Sequence, residues 1–307
     1  MRIALTGASG FIGSVLARQL HEKGHRVTAL VRQTSRRDHI EPYVDRLVVG
    51  GQADESVWPE LLEAAECVIH NSVDWRALKP LDLDAHLRSN LNGSIKLLHA
   101  AAPRQLIFVS TIAVHHDMRP KAFDDEGRGL IDEDHPLRPA MLYGAYKAAV
   151  EAHLWSAHFS TGQNTCAVRP CGVYGIDPNL SRSHGYKLLK ALAAGKPWEQ
   201  EQGGKFVHVE DTAAAIVACV GNDDAAGRPF NLVDCYARWA DWARMAGEIL
   251  GLDARVNETS PPSSKNVFLK HEAKSLGVGG KFLERGHEGI RQHLEELAEV
   301  MRAKGEL

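Results

Sequence analysis

Residues 1–13 read Met1-Arg2-Ile3-Ala4-Leu5-Thr6-Gly7-Ala8-Ser9-Gly10-Phe11-Ile12-Gly13 and decide the fold class of this chain. Arg2–Thr6 is a short apolar run that predicts a buried strand, and the amphipathic residues 11–23 predict a helix. The glycines between them follow the spacing GxxGxxG. In a strand–turn–helix of this kind, one glycine permits the tight turn, one lets a diphosphate reach the backbone, and one lets the helix pack closely.

The amino end of the predicted helix presents unpaired N–H groups to an anion. We therefore expect the phosphates of a dinucleotide to bind the turn residues Gly7, Ser9, Gly10, Phe11, Ile12 and Gly13. The first gap is one residue longer than in the usual GxGxxG pattern. A glycine-rich turn without a ligand is the alternative.

Short apolar runs alternate with amphipathic stretches over the first half of the chain. Strands are predicted at Arg2–Thr6, Arg26–Val31, Arg46–Val49, Cys67–His70 and residues 105–110. Helices are predicted at residues 11–23, 60–65 and 83–102. This alternation indicates βαβ units with right-handed crossovers. The predicted class is therefore α/β, with a Rossmann-type doubly wound parallel sheet.

The second half of the chain is less regular and predicts a smaller C-terminal lobe that binds substrate. A helix is expected at residues 143–159 and a strand at residues 165–169, after which Gly-, Pro- and Ser-rich segments appear. Residues 207–220 and 230–232 are predicted to return to the main sheet. We therefore assign residues 1–170 and about 207–235 to a dinucleotide-binding domain, and about 171–206 and 236–307 to the lobe.

Charge and composition exclude several classes of protein. The 307 residues include 36 Lys+Arg and 39 Asp+Glu, a net charge of −3, whereas binding of nucleic acid through bulk charge requires a basic excess. No apolar run approaches the ~20 residues of a membrane span, and the N-terminus lacks a signal-peptide pattern. Five cysteines without CxxC spacing are typical of a reduced compartment. We expect a cytoplasmic protein with neither nucleic-acid nor membrane partners.

Two polar segments after the fifth predicted strand could suggest a metal ion. His115 and His116 are adjacent, so on a strand they would point in opposite directions, and no carboxylate partner is evident. The acidic run is interpreted as a solvated loop because its spacing offers no ligand set; it contains Asp124, Asp125, Glu126, Asp132, Glu133 and Asp134. No metal site is therefore predicted.

The end of the second predicted strand indicates which nucleotide binds. An acidic residue there would hold the adenosine 2′-hydroxyl. The chain has Arg32 at this position, 19 residues after Gly13, and Arg36 follows closely. Guanidinium groups match a 2′-phosphate through paired hydrogen bonds. Arg32 and Arg36 therefore predict NADP(H), with NAD(H) possible and a solvated basic turn as the alternative.

The segment Tyr143-Gly144-Ala145-Tyr146-Lys147 opens the later predicted helix. A spacing of four places Tyr143 and Lys147 on one helix face. A phenol has a pKa near 10, which a neighbouring ammonium group and an oxidised nicotinamide would lower. Tyr143 could then accept a proton from an alcohol or donate one to a carbonyl. The alternative is an ordinary surface pair on an amphipathic helix.

Several segments in the same order resemble the extended short-chain dehydrogenase/reductase family, the NAD(P)-dependent epimerase/dehydratase group. They are TGASGFIG at residues 6–13, NLNGS at 90–94, FVST at 108–111, YGAYK at 143–147, VRPCGVYG at 168–175, FVHVED at 206–211 and FNL at 230–232. The resemblance covers nearly the whole chain. Such a set in order is far more specific than any one segment.

The resemblance implies roles for individual residues. Tyr143 would be the acid–base, Lys147 would bind the nicotinamide ribose, and Thr111 would hydrogen-bond the substrate oxygen. Ser72 and Pro170 complete the predicted cofactor-binding set, to which Tyr143 and Lys147 also belong. For Thr111 the alternative is a threonine that caps the next turn. Tyr146 is predicted to be a second phenol without a catalytic role, and Asn90 to order its helix.

Departures from the family narrow the reaction. The sugar-nucleotide dehydratases have Asp-Glu after the catalytic threonine, whereas this chain has Ile112-Ala113. Many nucleotide-sugar enzymes have an arginine before the FVHVED segment, whereas this chain has Gly203-Gly204-Lys205. We therefore predict hydride transfer between NADP(H) and a small-molecule carbonyl or secondary alcohol substrate.

Two other functions stay open at this point. One is an NAD(P)-dependent nucleotide-sugar epimerase, and the other is a non-catalytic dinucleotide sensor, which would not need a catalytic threonine, tyrosine and lysine. The pocket is expected between the sheet and the lobe, with possible lining by Cys171, Tyr174, His184 and Tyr186. Each of these could equally be ordinary packing.

The resemblance also implies a homodimer through a four-helix bundle. Residues 83–102 and 143–159 would supply two helices per subunit. The candidate contacts are Leu87, Leu91, Leu154 and Trp155. The alternative is that these apolar residues simply cover the sheet.

Overall fold

The computed structural model describes residues 1–78, 82–116 and 119–307. The strands are β1 (Arg2–Thr6), β2 (Arg26–Val31), β3 (Arg46–Val49), β4 (Cys67–His70), β5 (Gln105–Val109), β6 (Gly129–Ile131), β7 (Thr165–Pro170), β8 (Gly172–Tyr174), β9 (Gly203–His208), β10 (Pro229–Leu232), β11 (Cys235–Arg238) and β12 (Asn266–Phe268). The helices are α1 (Phe11–Glu22), α2 (Trp58–Leu62), α3 (Trp75–Leu78), α4 (Leu83–His86), α5 (Gly93–Ala101), α6 (Leu142–Thr161), α7 (Tyr186–Ala193), α8 (Val209–Ala218), α9 (Trp239–Leu250), α10 (His271–Lys274) and α11 (Gly286–Ala303).

A seven-stranded parallel sheet forms the centre of the fold, in the order β10-β7-β5-β4-β1-β2-β3. The chain builds β1 to β3 outward in one direction and β4 to β10 in the other, so the strand order reverses between β1 and β4. Ligands of such sheets bind at the carboxyl ends of the strands beside this reversal. The predicted Rossmann-type α/β class is confirmed.

Side-chain alternation along the central strands explains the helical layer on each face. In β5, Ile107 and Val109 pack into one core while Leu106 and Phe108 pack into the other. The first core includes apolar residues of α1 and α8, and the second includes those of α2, α5 and α6. Buried on both faces, β5 is apolar almost throughout, as expected for a parallel strand.

The helix predicted at residues 83–102 is present over residues 83–101, but its hydrogen-bond pattern changes along it. α4 ends at His86, Leu87–Asn92 is π-helical, and α5 follows directly. In the wide turn, the side-chain oxygen of Asn90 accepts hydrogen bonds from Gln52 Nε2 at 2.9 Å and from the Asp74 amide at 2.7 Å. These long-range bonds accompany a geometry that helix periodicity does not predict.

The prediction for residues 207–220 is wrong for its strand portion. Val207 and His208 belong to β9, which lies between β8 and β11 in a separate three-stranded sheet, and the rest of the segment is helix α8. The prediction for residues 230–232 is confirmed, because β10 pairs with β7 at the edge of the main sheet.

A further hydrophobic core lies against the three-stranded sheet. It joins residues of α7, α9 and α11 around the fully buried Trp242 and Tyr174. The division of the chain into a dinucleotide-binding domain and a substrate lobe stays a prediction. Within the described residues, no helix is long and apolar enough to cross a bilayer.

Candidate active site

The glycine turn after β1 is shaped by close backbone approaches. Gly7 has φ = +71°, and a Cβ on it would lie 3.1 Å from the backbone of Asn71 and Ser72. A Cβ on Gly13 would lie 2.0 Å from the Gly7 oxygen, which only glycine allows. No side chain caps α1 at Gly10. This open, Cβ-free cradle at a helix amino end fits the diphosphate of a dinucleotide.

A buried series of side-chain hydrogen bonds supports this turn from the core side. Ser94 Oγ donates to the Asn90 carbonyl oxygen at 2.5 Å, so it accepts from His70 Nε2, which lies 2.8 Å away. His70 Nδ1 must then accept from Thr6 Oγ1 at 2.8 Å. The imidazole is therefore neutral, and burial together with the charge of Lys147 lowers the pKa of His70 to about 3.

Thr6 Oγ1 also accepts the backbone N–H groups of Asn71 at 3.1 Å and Ser72 at 3.3 Å. The predicted cofactor residue Ser72 thus lies at the end of β4, against the glycine turn. Thr6 and Ser94 lie in the TGASGFIG and NLNGS segments but were given no role there, and His70 belongs to none of the quoted segments.

The basic residues after β2 lie at the surface. Arg32 is exposed and, within the described residues, forms no hydrogen bond or ion pair through its side chain. Arg36 is exposed and pairs with Asp38 at 3.4 Å. From the same loop, His39 Nε2 donates to the Ser9 oxygen at 3.2 Å, which brings the loop against the glycine turn. Arg32 is therefore free to meet a ligand.

The predicted catalytic residues Thr111 and Tyr143 meet just beyond the carboxyl end of β5. Thr111 caps the 3₁₀ turn Ile112–Val114 by accepting from the Ala113 amide at 3.2 Å, so the predicted capping alternative also holds. The start of α6 packs against this turn, because a Cβ on Gly144 would lie 2.4 Å from the Ala113 oxygen. Burial raises the pKa of Tyr143 to about 12, although its interaction with Thr111 acts to lower it.

Lys147 is buried beside the same strand. Its Nζ donates to the Val109 oxygen at 2.5 Å and lies 4.3 Å from the centre of the Phe108 ring. Burial lowers the pKa of Lys147 to about 7, against the opposing charge of Glu151. In the protein without cofactor, burial dominates the pKa of Tyr143, and Lys147 Nζ is bound to β5. A lowering of this pKa by Lys147 together with an oxidised nicotinamide stays a prediction.

Two aromatic residues surround Tyr143. Trp75, which is 49% exposed, stacks on the Tyr143 ring with centroids 5.0 Å apart. Tyr146 packs edge-on against Tyr143 at 5.8 Å, and its buried hydroxyl has no hydrogen-bond partner in the described part of the chain. Sequence motifs do not indicate Trp75, whose one signal is its place shortly after the end of β4.

A buried charged cluster lies next to these residues. Arg169 donates twice to Glu151, with Nη2 to Oε2 at 2.6 Å, and Ser110 Oγ also bonds to Glu151. Arg169 Nη1 donates to His115 Nε2 at 3.1 Å. Burial and the charge of Arg169 lower the pKa of His115 to about 3, so this ring is neutral.

The prediction that the acidic run is a solvated loop is wrong for Glu133. It is buried, and Oε1 accepts from the Asn231 amide at 2.9 Å, which ties the run to β10. Burial raises the pKa of Glu133. Within residues 1–78, 82–116 and 119–307, no three His, Cys, Asp or Glu side chains are grouped to hold a metal ion.

A cleft of about 460 Å³ opens beside Thr111. Its walls come from the turn after β5, from β8 and β9, and from the start of α9; they include Ile112, His115, Cys171, Gly172, Gly203, Gly204, Lys205, Phe206 and Trp239. The volume lies in the usual range for small-molecule sites. Thr111 thus lines the cleft and also contacts Tyr143.

The predicted lining residues are only partly found there. Cys171 lines the cleft. Tyr174 is fully buried in the core of the small sheet, and His184 stacks on Trp239 behind the wall, with ring centroids 6.0 Å apart. Tyr186 begins α7. Pro170 ends β7 and is buried.

Comparison with known proteins identifies the family. The model of the NAD dependent epimerase/dehydratase family matches residues 3–232, and the chain belongs to this family of NAD(P)-dependent enzymes. A 3-diazoavenalumate denitrifying reductase from Streptomyces sp is 30% identical over 73% of this chain and 73% of its own. A UDP-glucose 4-epimerase from Corynebacterium glutamicum is 26% identical over 76% and 75%, respectively.

The fold agrees with solved structures. A UDP-glucose 4-epimerase from Thermotoga maritima, determined with UDP-glucose, superposes with a TM-score of 0.79 over 98% of this chain and 100% of that one. The two sequences are 20% identical, so the likeness concerns the fold. Reductases and epimerases both occur among the similar proteins.

Proposed function

We propose that this chain is an NADP(H)-dependent carbonyl reductase in which Tyr143 is the acid–base. The observation that carries the proposal is the meeting of Thr111, Tyr143 and Lys147 at the carboxyl end of β5, beside a cleft of small-molecule size. The end of this strand is adjacent to β4, and hence to the reversal of strand order where such folds bind nucleotides.

The state of Tyr143 favours the direction of reduction. A phenol whose pKa is raised to about 12 is protonated at neutral pH, so it can donate its proton to a carbonyl oxygen. Thr111 can donate its own O–H to the same oxygen, because its capping bond uses only an oxygen lone pair. A bound nicotinamide would supply the hydride.

The glycine turn and Arg32 support the cofactor assignment. The turn from Gly7 to Gly13 would hold the diphosphate, with Gly13 allowing α1 to pack against Gly7, and the Arg32 side chain is free to bind a 2′-phosphate. Gln33 follows Arg32, so an acidic partner for the adenosine 2′-hydroxyl is absent from these two positions. Lys147, with its pKa near 7, would meet the nicotinamide ribose after leaving Val109.

The epimerase alternative is weaker on the substrate side. A nucleotide sugar carries a diphosphate, which needs cationic partners. Of the described residues that line the cleft, Lys205 is the one lysine or arginine, and Gly203 and Gly204 present no side chain. We therefore place reduction of a small carbonyl compound ahead of epimerisation.

The test is an assay of the full chain with NADPH or NADH and a panel of ketones and aldehydes, following the absorbance of the reduced nicotinamide. In parallel, the chain is incubated with NAD⁺ and UDP-glucose, and UDP-galactose is measured by chromatography. Consumption of NADPH with any carbonyl supports the proposal. Epimerisation without any consumption of NADPH would overturn it.

The homodimer is a separate proposal. Leu154 cannot contribute to a helix interface, since it is fully buried within one chain. Leu87, Leu91 and Trp155 are only partly buried and stay candidate contacts. Light scattering of the wild-type chain and of the Trp155→Glu variant measures the oligomeric state. A wild-type chain that is monomeric would contradict the homodimer.

A further inference from the structure

The floor of the cleft beside Thr111 is made of backbone. A Cβ on Gly172 would lie 2.9 Å from the Lys205 oxygen, and a Cβ on Gly203 would lie 2.6 Å from the Ala237 oxygen. A Cβ on Gly204 would lie 3.2 Å from the Phe206 ring. Close strand packing excludes side chains at Gly172 and Gly203, and a Cβ on Gly204 would press against the Phe206 ring, so this part of the cleft is bounded by backbone.

An aromatic wall rises beside this floor. Phe206 and Trp239 both line the cleft, and their rings are 5.8 Å apart and nearly perpendicular. His184 stacks on Trp239, which fixes the orientation of the indole ring. Phe206 is only 3% exposed and backs the wall from the core, so Trp239 is the ring that the wall offers to an aromatic ligand.

Lys205 is the charged group of the cleft. Its Nζ donates to the neutral Ser264 hydroxyl at 2.8 Å and lies 5.6 Å from the centre of the Phe268 ring, and among the described residues no Asp or Glu pairs with it. The side chain is half-buried, and burial lowers the pKa of Lys205. A half-buried ammonium group without a counter-ion is costly and is stabilised by an anion.

Among the described residues that line the cleft, Lys205 is the one lysine or arginine, and the other basic side chains there are His115 and His116. His115 also lines the cleft, but it is buried and accepts a hydrogen bond from Arg169, so its ring is neutral. The Arg169 guanidinium is itself paired with Glu151. The single charge of Lys205 therefore favours a ligand with one negative charge.

We propose that the cleft binds a planar aromatic carbonyl compound with a single anionic group, such as a carboxylate, which pairs with Lys205. The glycine floor and the Trp239 ring accept the aromatic ring, and Lys205 pairs with the negative charge. The inference rests on the proposed reductase function for the carbonyl end of the ligand, which would lie at Thr111. A diphosphate with more than one charge is disfavoured.

Binding is measured by calorimetry on the full chain, with and without NADP⁺. The probes are 4-acetylbenzoate, its methyl ester, 4-acetylcyclohexanecarboxylate and UDP. We expect the acid to bind about tenfold more tightly than the ester, as for a charge-assisted hydrogen bond. We expect it to bind about threefold more tightly than the saturated acid, because the latter lacks an aromatic ring.

Variants locate the charge effect. Lys205→Met should remove the difference between acid and ester, while Lys205→Arg should keep most of it. Lys187→Met removes an exposed lysine of α7 and serves as the matched control, with unchanged affinities. Circular dichroism of each variant confirms folding.

The outcomes separate the inference from the proposed function. Equal binding of acid and ester by the unaltered chain, no binding of the acid, tighter binding of UDP, or an unchanged acid–ester difference in folded Lys205→Met would each overturn the inference. If 4-acetylbenzoate binds as expected but never oxidises NADPH, the inference on ligand class stands and the reductase function is refuted for it.

Discussion

Lys147 Nζ donates a hydrogen bond to the main-chain oxygen of Val109 at 2.5 Å, joining α6 to the last residue of β5. The lysine is 1% exposed. Its pKa is lowered to about 7 because burial disfavours the ammonium form. The protonation state of this residue is therefore coupled to folding as well as to chemistry.

The first prediction concerns stability against pH. Between pH 7 and 10 the unfolded chain holds a proton on Lys147 that the folded chain has released, so this residue makes stability rise with pH in that window. Urea denaturation of the unaltered chain and of Lys147→Met should show a difference in unfolding free energy that changes by about 1 to 2 kcal/mol from pH 7 to pH 9. A difference independent of pH would contradict the lowered pKa.

The second prediction separates the two phenols. Tyr143→Phe should lower kcat by about 10² to 10⁴, since the proton donor is lost, while calorimetry shows NADPH affinity nearly unchanged. Tyr146→Phe is the matched control: its buried hydroxyl lacks a partner among the described residues, so kcat should stay within about threefold. Comparable losses in both variants would remove the acid–base assignment.

The third prediction tests the nucleotide choice. Arg32→Asp should weaken NADPH binding by about tenfold or more and leave NADH binding equal or tighter, because one guanidinium–phosphate contact is replaced by repulsion. Arg26→Asp changes the other end of β2, where Arg26 is also exposed, and should preserve the NADPH preference. Titration by nicotinamide fluorescence measures both. Identical preferences in the two variants would exclude Arg32 from the site.

The fourth prediction concerns the buried ion pair. Glu151→Gln leaves Arg169 charged in the core and should lower the unfolding free energy by about 3 to 5 kcal/mol. Glu248→Gln removes the partner of Arg291 at the surface and should cost no more than about 1 kcal/mol. Urea denaturation at neutral pH compares them. Equal costs would show that Arg169 is not held by Glu151.

Local pattern was sufficient for much of the fold. The bounds of β1 to β4 are those predicted, because apolar runs of parallel strands end sharply at turn residues such as Gly7 after β1 and Gly50 after β3. Long-range contacts decided the rest. The π-helical turn accompanies bonds from Asn90 to Gln52 and Asp74, and β9 pairs with β8 and β11 instead of the main sheet.

The candidate site was predictable where it coincides with motifs. Thr111 and Tyr143 meet as expected, and the glycine turn has the predicted close approaches. The acceptor of Lys147 lies 38 residues earlier, and Trp75 stacks on Tyr143 from a separate helix. The sequence does not show that Lys205 bonds to the Ser264 hydroxyl, 59 residues away, and not to a carboxylate. Such pairings depend on tertiary folding, which spacing along the chain does not encode.

The bonds from Thr6 through His70 to Ser94 bear on how tightly a ligand can be held above the glycine turn. The tips of β1 and β4 are already fixed to each other when the chain is folded. The entropy of immobilising that platform is lost once, during folding, and is not subtracted again on association. The affinity for a ligand at the glycine turn thus depends partly on the buried imidazole of His70.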